Sequence, residues 1–231
     1  MDTRVEQLRT SSGEANTHGL SDELVNSFLK IDPNLGIALD LAIKARENLD
    51  DEVEDLLLKL TESQFASELQ KDFVNFYEPS TVNPYIPLAA KGPWIITTHG
   101  AVVHDNGGYG MLGMGHDPTE VMSSMSESHV MANVMTPSVT HKRFADTLKR
   151  EVGHTRGTCP FDRFICMNSG SESVTVAMRI SDINARLMTD QDGPHHGKEI
   201  WTVALDSGFH GRTDRPASIS SSCLPKYQKK L

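Results

Sequence analysis

Cysteine, long apolar runs and excess positive charge are all scarce in this chain of 231 residues. Its three cysteines, Cys159, Cys166 and Cys223, have no Cys-x-x-Cys spacing, so neither a disulfide framework nor a cysteine-rich metal site is indicated. No stretch approaches the roughly 20 apolar residues of a membrane-spanning helix. Residues 1–19 are polar and charged, unlike a secretory signal with its apolar centre. We therefore expect a cytoplasmic protein that does not bind membranes.

The net charge of −9 is concentrated at one end of the chain. Residues 1–77 contain sixteen Asp and Glu against seven Lys and Arg, whereas residues 78–231 contain fifteen of each. A nucleic-acid-binding surface needs a basic footprint, so we expect no nucleic-acid partner. The acidic excess is typical of the solvated faces of helices.

The N-terminal third is predicted to be helical over residues 21–77, after a disordered or loosely attached arm over residues 1–20. Asp32-Pro33 is typical of a helix start, because aspartate caps the helix and proline suits its first position. Thr61-Glu-Ser-Gln64 has the pattern of a capping box. The predicted buried stripes are Ile37, Leu41, Ala45 and Leu49 in the first helix, then Phe65, Leu69, Phe73 and Phe76 in the second.

Residues 78–135 have the composition of a hairpin region. Strand patterns cover 92–96 and 100–104, and Asp105-Asn-Gly-Gly108 supplies turn chemistry. Gly108, Gly110 and Gly113 match the dinucleotide fingerprint formally. Proline soon afterwards breaks the helix that such a site requires, so a glycine-rich hairpin is the preferred interpretation.

Two helices are predicted next, over 118–125 with Asp117 as cap and over 142–152 with Thr140 as cap. Further along, His195-His196 could suggest a metal site. Adjacent side chains point apart and no partner spacing accompanies them, so we predict a solvated loop and no metal.

Two strand-plus-motif units follow, and together they are the most informative feature of the chain. The strand-like run 163–167 leads into Asn168-Ser-Gly-Ser-Glu172, and the run 201–205 leads to Phe209-His-Gly-Arg-Thr213. Strand, helix and strand in this order predict a parallel α/β sheet. The apolar face of the intervening helix is predicted to be Val176, Ile180, Ile183 and Leu187.

The first motif suits an anion and the second suits a flat ring. Small residues at Gly170 and Ser171 bring backbone N–H groups and a helix start close to a phosphate. The alternative is a tight turn that needs glycine, with serine as a cap. Phe209 and His210 would lie where open α/β sheets bind ligands, or would be a core aromatic and a loop histidine. Arg212 could clamp a carboxylate or orient its own loop.

The ordered pair of motifs resembles the class III pyridoxal-phosphate (PLP) aminotransferases. The resemblance implies a fold type I protein with a three-layer α/β/α PLP domain. Residues 78–135 would be its small-domain and entry-hairpin region, and residues 136–231 the first part of its large domain. Gly170 and Ser171 would bind the cofactor phosphate, Phe209 would stack on the pyridine ring, and His210 would lie beside it.

The resemblance also implies transfer of an amino group from an amino acid or amine to a 2-oxo acid, in a homodimer. The family's Schiff-base lysine lies well downstream of the second motif, whereas Leu231 is 18 residues after Thr213. We therefore expect no catalytic residue here and an inactive isolated chain. A sheet cut after its first strands would expose an unpaired edge and an apolar face, so we also expect poor solubility or oligomerisation. The alternatives are a non-catalytic remnant or interaction module, or another fold type I enzyme such as an aminomutase, racemase or decarboxylase.

Overall fold

A computed structural model describes residues 1–74, 85–106, 113–130 and 135–221. These residues form two compact units. The first holds described residues 1–74, 85–106 and 113–129, and the second holds 130 and 135–221. The predictions that involve Gly108, Gly110, Phe76 and Cys223 concern residues outside these ranges.

The first unit packs a layer of helices against a small sheet. Its elements are α1 Thr3–Thr10, α2 Asp22–Phe28, α3 Pro33–Glu47, α4 Asp51–Lys59, α5 Glu62–Gln70, β1 Pro87–Lys91, β2 Trp94–Thr97, β3 Val102–His104 and α6 Thr119–Met125. The sheet is antiparallel in the order β1-β2-β3. Ile95 is paired with Ala90 of β1 and with Val103 of β3. The predicted strand run at 92–96 thus overlaps β2, and the run at 100–104 contains β3.

Helix α3 lies on this sheet, and its start agrees with the sequence. Asp32 accepts a hydrogen bond from the Asn34 N–H, and Pro33 occupies the first helical position. The buried face is nevertheless not the predicted one, because Ile37 and Leu41 are exposed. The residues that α3 buries are Leu35, Ala38, Leu39, Ala42 and Arg46. Helix α3 has two apolar faces, one with Ile37 and Leu41 and one with Ala38 and Ala42. The face with the small alanines is buried because it allows the helix to approach the sheet closely.

The prediction of a disordered arm at residues 1–20 is also wrong, because this segment contains α1. Asp2 caps this helix, and Val5 and Leu8 are fully buried in the core beside Trp94 and Ile96 of β2. Two apolar residues among polar neighbours gave too weak a pattern to predict a helix. Their burial against α3 and the sheet stabilises it, as is usual for short helices.

Helices α4 and α5 complete the described N-terminal segment. The capping box predicted at Thr61 and Gln64 is present, with both reciprocal hydrogen bonds. Phe65 is buried as expected, whereas Leu69 and Phe73 are exposed. Helix α5 ends at Gln70, so Phe73 of the predicted apolar stripe lies beyond the end of the helix.

The regular structure of the second unit is helical across its described residues. It contains α7 Val139–Gly153, α8 Gly170–Thr189 and α9 Asp214–Ile219. The caps predicted for the helices near 118 and 142 are displaced, since Pro118 precedes α6 and Ser138, whose hydroxyl accepts from the His141 N–H, precedes α7. The loop predicted around His195 and His196 is present and spans residues 191–197.

The strands predicted at 163–167 and 201–205 are not observed. Both segments are described, and neither is assigned to a strand or pairs with another described segment. Ile165, Trp201 and Val203 are exposed. A strand requires hydrogen-bonded neighbours and an apolar cover, and the described residues supply neither for these two segments.

Candidate cofactor-binding site

The first motif forms the start of α8, the longest described helix. Ser169 is the N-cap, with extended backbone at φ −148° and ψ 159°. Its hydroxyl oxygen accepts the Glu172 N–H at 3.2 Å and lies 3.4 Å from the Glu172 carboxylate. Ser169 and Glu172 therefore brace the turn. The capping role considered for Ser171 is taken by Ser169, which leaves Ser171 in the first helical turn with a different partner.

The structure brings the two motifs into direct contact. The Arg212 N–H donates a hydrogen bond to Ser171 Oγ at 3.1 Å, across 41 residues of sequence. One turn further along α8, the Thr175 hydroxyl lies 3.5 Å from that of Thr213. The helix start and the His-Gly-Arg-Thr segment are thus neighbours, as the hypothesis of a shared ligand requires.

Gly211 permits this contact. Its φ is +121°, a conformation that side chains of L-residues rarely adopt. A Cβ placed there would lie 2.8 Å from Ser171 Oγ and 2.9 Å from Ser171 Cα. Any other residue at this position would therefore push the second motif away from the start of α8.

The backbone of the second motif is held by a buried hydroxyl. The His210 N–H donates to Ser220 Oγ at 2.8 Å, and that oxygen lies 2.8 Å from the Gly211 carbonyl oxygen. Ser220 is one residue that sequence reasoning missed. It sits in a run of serines, and nothing in the local pattern distinguishes the one that is buried.

The side chains of the motif differ in exposure. The Phe209 ring is half exposed, and the Arg212 guanidinium carbon lies 4.9 Å from its centroid, in range of a cation–π contact. His210 is partly buried, and its Nε2 is buried without a hydrogen-bond partner among the described residues. An orphaned ring nitrogen beside an accessible aromatic face fits a polar, planar ligand.

Arg215 of α9 forms an ion pair with Asp182 of α8. Both side chains are partly exposed, so this pair contributes little free energy by itself. Helix α9 begins at Asp214, directly after the second motif. Sequence reasoning did not single out either residue.

The helix start meets the requirements of a phosphate group. The first N–H groups of an α-helix have no intrahelical acceptor, and the helix dipole favours negative charge there. Ser169 uses the Glu172 N–H, which leaves those of Gly170 and Ser171 available. Apart from the adjacent residues and the backbone of its own helix, no atom of the described residues lies within 4 Å of a Cβ placed on Gly170, so an anion can approach the backbone. The residues present therefore fit the phosphate of PLP.

No group of three or more His, Cys, Asp or Glu side chains that could hold a metal ion occurs in the described residues. Across those same ranges, no helix is both long and apolar enough to cross a bilayer.

Comparison with known proteins assigns the family. The family model described as Aminotransferase class-III matches residues 76–230, about two thirds of the chain, and this range contains both motifs. The chain belongs to the class III aminotransferase family. This family is PLP-dependent and acts on amino and keto acids, and membership implies the PLP-transferase fold, fold type I. Within the matched range, the described helices and the small sheet are consistent with part of that α/β fold.

A curated relative supports the assignment over a shorter stretch. The acetylornithine aminotransferase of Prochlorococcus marinus subsp. pastoris is 36% identical over 75 residues, which are 32% of this chain and 16% of the relative. The matched part thus spans well under two thirds of the relative's length. No solved structure matches the chain.

Proposed function

We propose that this chain supplies the phosphate-binding and ring-contacting part of the PLP site in an enzyme that transfers an amino group from an amino acid or amine to a 2-oxo acid. The observation that carries the proposal is the hydrogen bond between the Arg212 N–H and Ser171 Oγ. It unites two motifs that are each weak alone, inside the range that matches the family.

Each residue has a separate part in this proposal. The N–H groups of Gly170 and Ser171, with the Ser171 hydroxyl proton, bind the phosphate. Ser171 Oγ can still donate its proton because it accepts from the Arg212 N–H. Phe209 stacks on the pyridine ring, and His210 offers its orphaned Nε2 to a polar group beside the ring. Arg212 orients Phe209 through its contact with the ring.

When bound, PLP supplies an electron sink for negative charge at the carbon next to the substrate amino group. The residues of this chain bind the phosphate of PLP and orient its ring. The lysine that completes the chemistry in this family is not among the residues assigned here. The complete enzyme is proposed to be a homodimer, as the family resemblance implies.

Binding of PLP to the Gly170→Ala variant tests the proposal. Outside its own helix backbone and chain neighbours, the added methyl meets no atom of the described residues within 4 Å, so we expect no loss of stability. The methyl would occupy the space through which the phosphate approaches, so we expect affinity for PLP to fall about tenfold, or about 1.4 kcal/mol. The measurement is a titration of the wild-type and variant chains, followed by the absorbance of PLP.

The matched control is Gly36→Ala, because Gly36 also lies in a helix with no atom within 4 Å of an added Cβ. It should leave PLP affinity unchanged. Pyridoxal, which lacks the phosphate, should bind the wild type and Gly170→Ala equally. Equal affinity of the wild type and Gly170→Ala for PLP would rule out a phosphate site at the start of α8.

A further inference from the structure

The chain that follows α9 returns to the second motif and holds the backbone on both sides of Phe209. The Ser221 N–H donates to the Gly208 carbonyl oxygen at 2.9 Å, which holds the peptide group before Phe209. Ser220 Oγ accepts the His210 N–H at 2.8 Å, which holds the peptide group after it. Because a planar peptide group moves as a unit, the two contacts together set the backbone direction from which the Phe209 ring extends.

The Ser220 hydroxyl also holds the peptide group between Gly211 and Arg212. The carbonyl oxygen of this group lies 2.8 Å from Ser220 Oγ, and its N–H donates to Ser171 Oγ at 3.1 Å. One rigid plane is thus hydrogen-bonded to Ser220 at one end and to the start of α8 at the other. A rotation of this peptide group would break both hydrogen bonds, so the position of Ser220 is coupled to that of Ser171.

A hydroxyl is suited to this place because it accepts and donates hydrogen bonds at once. While the Ser220 oxygen accepts the His210 N–H, its single proton is directed to the carbonyl oxygen of Gly211 or to that of Pro216, which lies 2.9 Å away. Ser220 is 2% exposed, so solvent has little access to replace these hydrogen bonds. A methyl group at this position would serve neither the N–H nor the carbonyl oxygens.

We infer that Ser220 is a positioning residue of the proposed cofactor site. It touches neither the phosphate nor the ring in the proposed arrangement, and it acts through two residues that do. Its contact with the His210 N–H orients Phe209, and its contact with the Gly211 carbonyl holds the second motif against Ser171. The inference rests on the proposed function, because without a cofactor these contacts would serve only the fold.

A residue that positions both parts of the site should affect ligands with and without a phosphate. In Ser220→Ala, we expect the affinity for PLP to fall about 5-fold, which is within the range for the loss of one hydrogen bond. We expect the affinity for pyridoxal, which lacks the phosphate, to fall about 2-fold or more because the support of Phe209 is lost. Gly170→Ala, by contrast, should weaken the binding of PLP alone.

Titration of the whole chain with PLP and with pyridoxal, followed by the absorbance of the ligand, measures both effects. The matched control is Ser218→Ala, because Ser218 Oγ also donates to a backbone carbonyl oxygen, that of Arg215 at 2.7 Å, but within α9. This variant should bind both ligands as the wild type does. Ser220→Thr keeps the hydroxyl, and the extended backbone at φ −91° and ψ 125° suits threonine, so it should bind PLP within about 2-fold of the wild type.

Hydrogen exchange separates a local role from a general loss of stability. The amides of His210 and Arg212 should lose about 5-fold or more of their protection in Ser220→Ala, whereas those of α7 in the same unit should keep theirs. A serine that served only the stability of the unit would lower the protection of all these amides together.

The outcomes distinguish this inference from the proposed function. If the wild type binds PLP and Gly170→Ala binds it more weakly, unchanged affinity of Ser220→Ala for both ligands would contradict the positioning role alone. Failure of Ser220→Thr to restore the affinity, or an equal loss of protection in α7, would also contradict that role alone. Absence of PLP binding by the wild type would contradict the proposed function and the positioning role together.

Discussion

At the scale of single residues, the candidate site depends on two glycines with opposite requirements. Gly170 has open space around it, which leaves the start of α8 accessible to a ligand. Gly211 has no such space, because a Cβ placed on it would lie 2.8–3.0 Å from three atoms of Ser171. A methyl at the first should therefore affect binding, whereas a methyl at the second should affect folding.

Gly211→Ala is expected to destabilise the contact between the two motifs by about 2 kcal/mol, from backbone strain and overlap with Ser171. The measurement is hydrogen exchange of the Arg212 amide, whose protection should fall. Gly157→Ala is the control, because Gly157 also has a positive φ, +76°, but has no atom within 4 Å of an added Cβ. Unchanged protection of Arg212 in Gly211→Ala would mean that the close approach is not required.

At the scale of elements, the N-cap residues of helices in the first unit differ in the hydrogen bonds that their side chains make. Asp32 caps α3 and also accepts the indole N–H of the buried Trp94 at 2.8 Å. This hydrogen bond holds the pKa of Asp32 below its ordinary value. Asp50 occupies the same position on α4 and makes no side-chain capping hydrogen bond.

Asp32→Ala should therefore lower the free energy of unfolding by about 2–4 kcal/mol, from the lost cap and the orphaned indole. Asp50→Ala should cost about 0.5 kcal/mol, the loss of one charge near a helix N-terminus. Denaturant titration followed by tryptophan fluorescence measures both, since Trp94 is buried and Trp201 is exposed. Equal costs for the two variants would show that the contact with Trp94 contributes nothing.

At the scale of the whole molecule, apolar surface in the second unit lacks cover among the described residues. Ile180, Ile183 and Leu187 lie on one face of α8, as the spacing predicted, and are between 47% and 66% exposed. The unpaired segment 201–205 exposes three further large apolar residues. Patches of this kind promote association.

We expect the wild-type chain to self-associate at micromolar concentration, and the double variant Ile183→Lys, Leu187→Lys to shift towards the mass of one chain. Light scattering after size-exclusion chromatography measures the mass. The matched control adds the same two charges at exposed polar positions, with Ser181→Lys and Asn184→Lys, and should still associate. A monodisperse wild-type monomer would refute the expectation.

Much of the local structure follows from the sequence because its causes are local. The capping box at Thr61, the Asp32-Pro33 start of α3 and the β-branched runs in β2 and β3 each depend on a few neighbouring residues. The two motifs likewise predict the family, which the match over residues 76–230 confirms. The individual roles of Gly170, Ser171, Phe209 and His210 stay predictions.

Only the tertiary structure decided which surfaces meet. It selected the alanine-rich face of α3 in place of the face with Ile37, buried α1 where a loose arm was expected, and left 163–167 and 201–205 without strand partners. It also placed Ser171 against Gly211 and Glu62 beside Thr17. Burial and long-range hydrogen bonds depend on residues far apart in the chain, and short-range periodicity carries no information about which distant segments pack together.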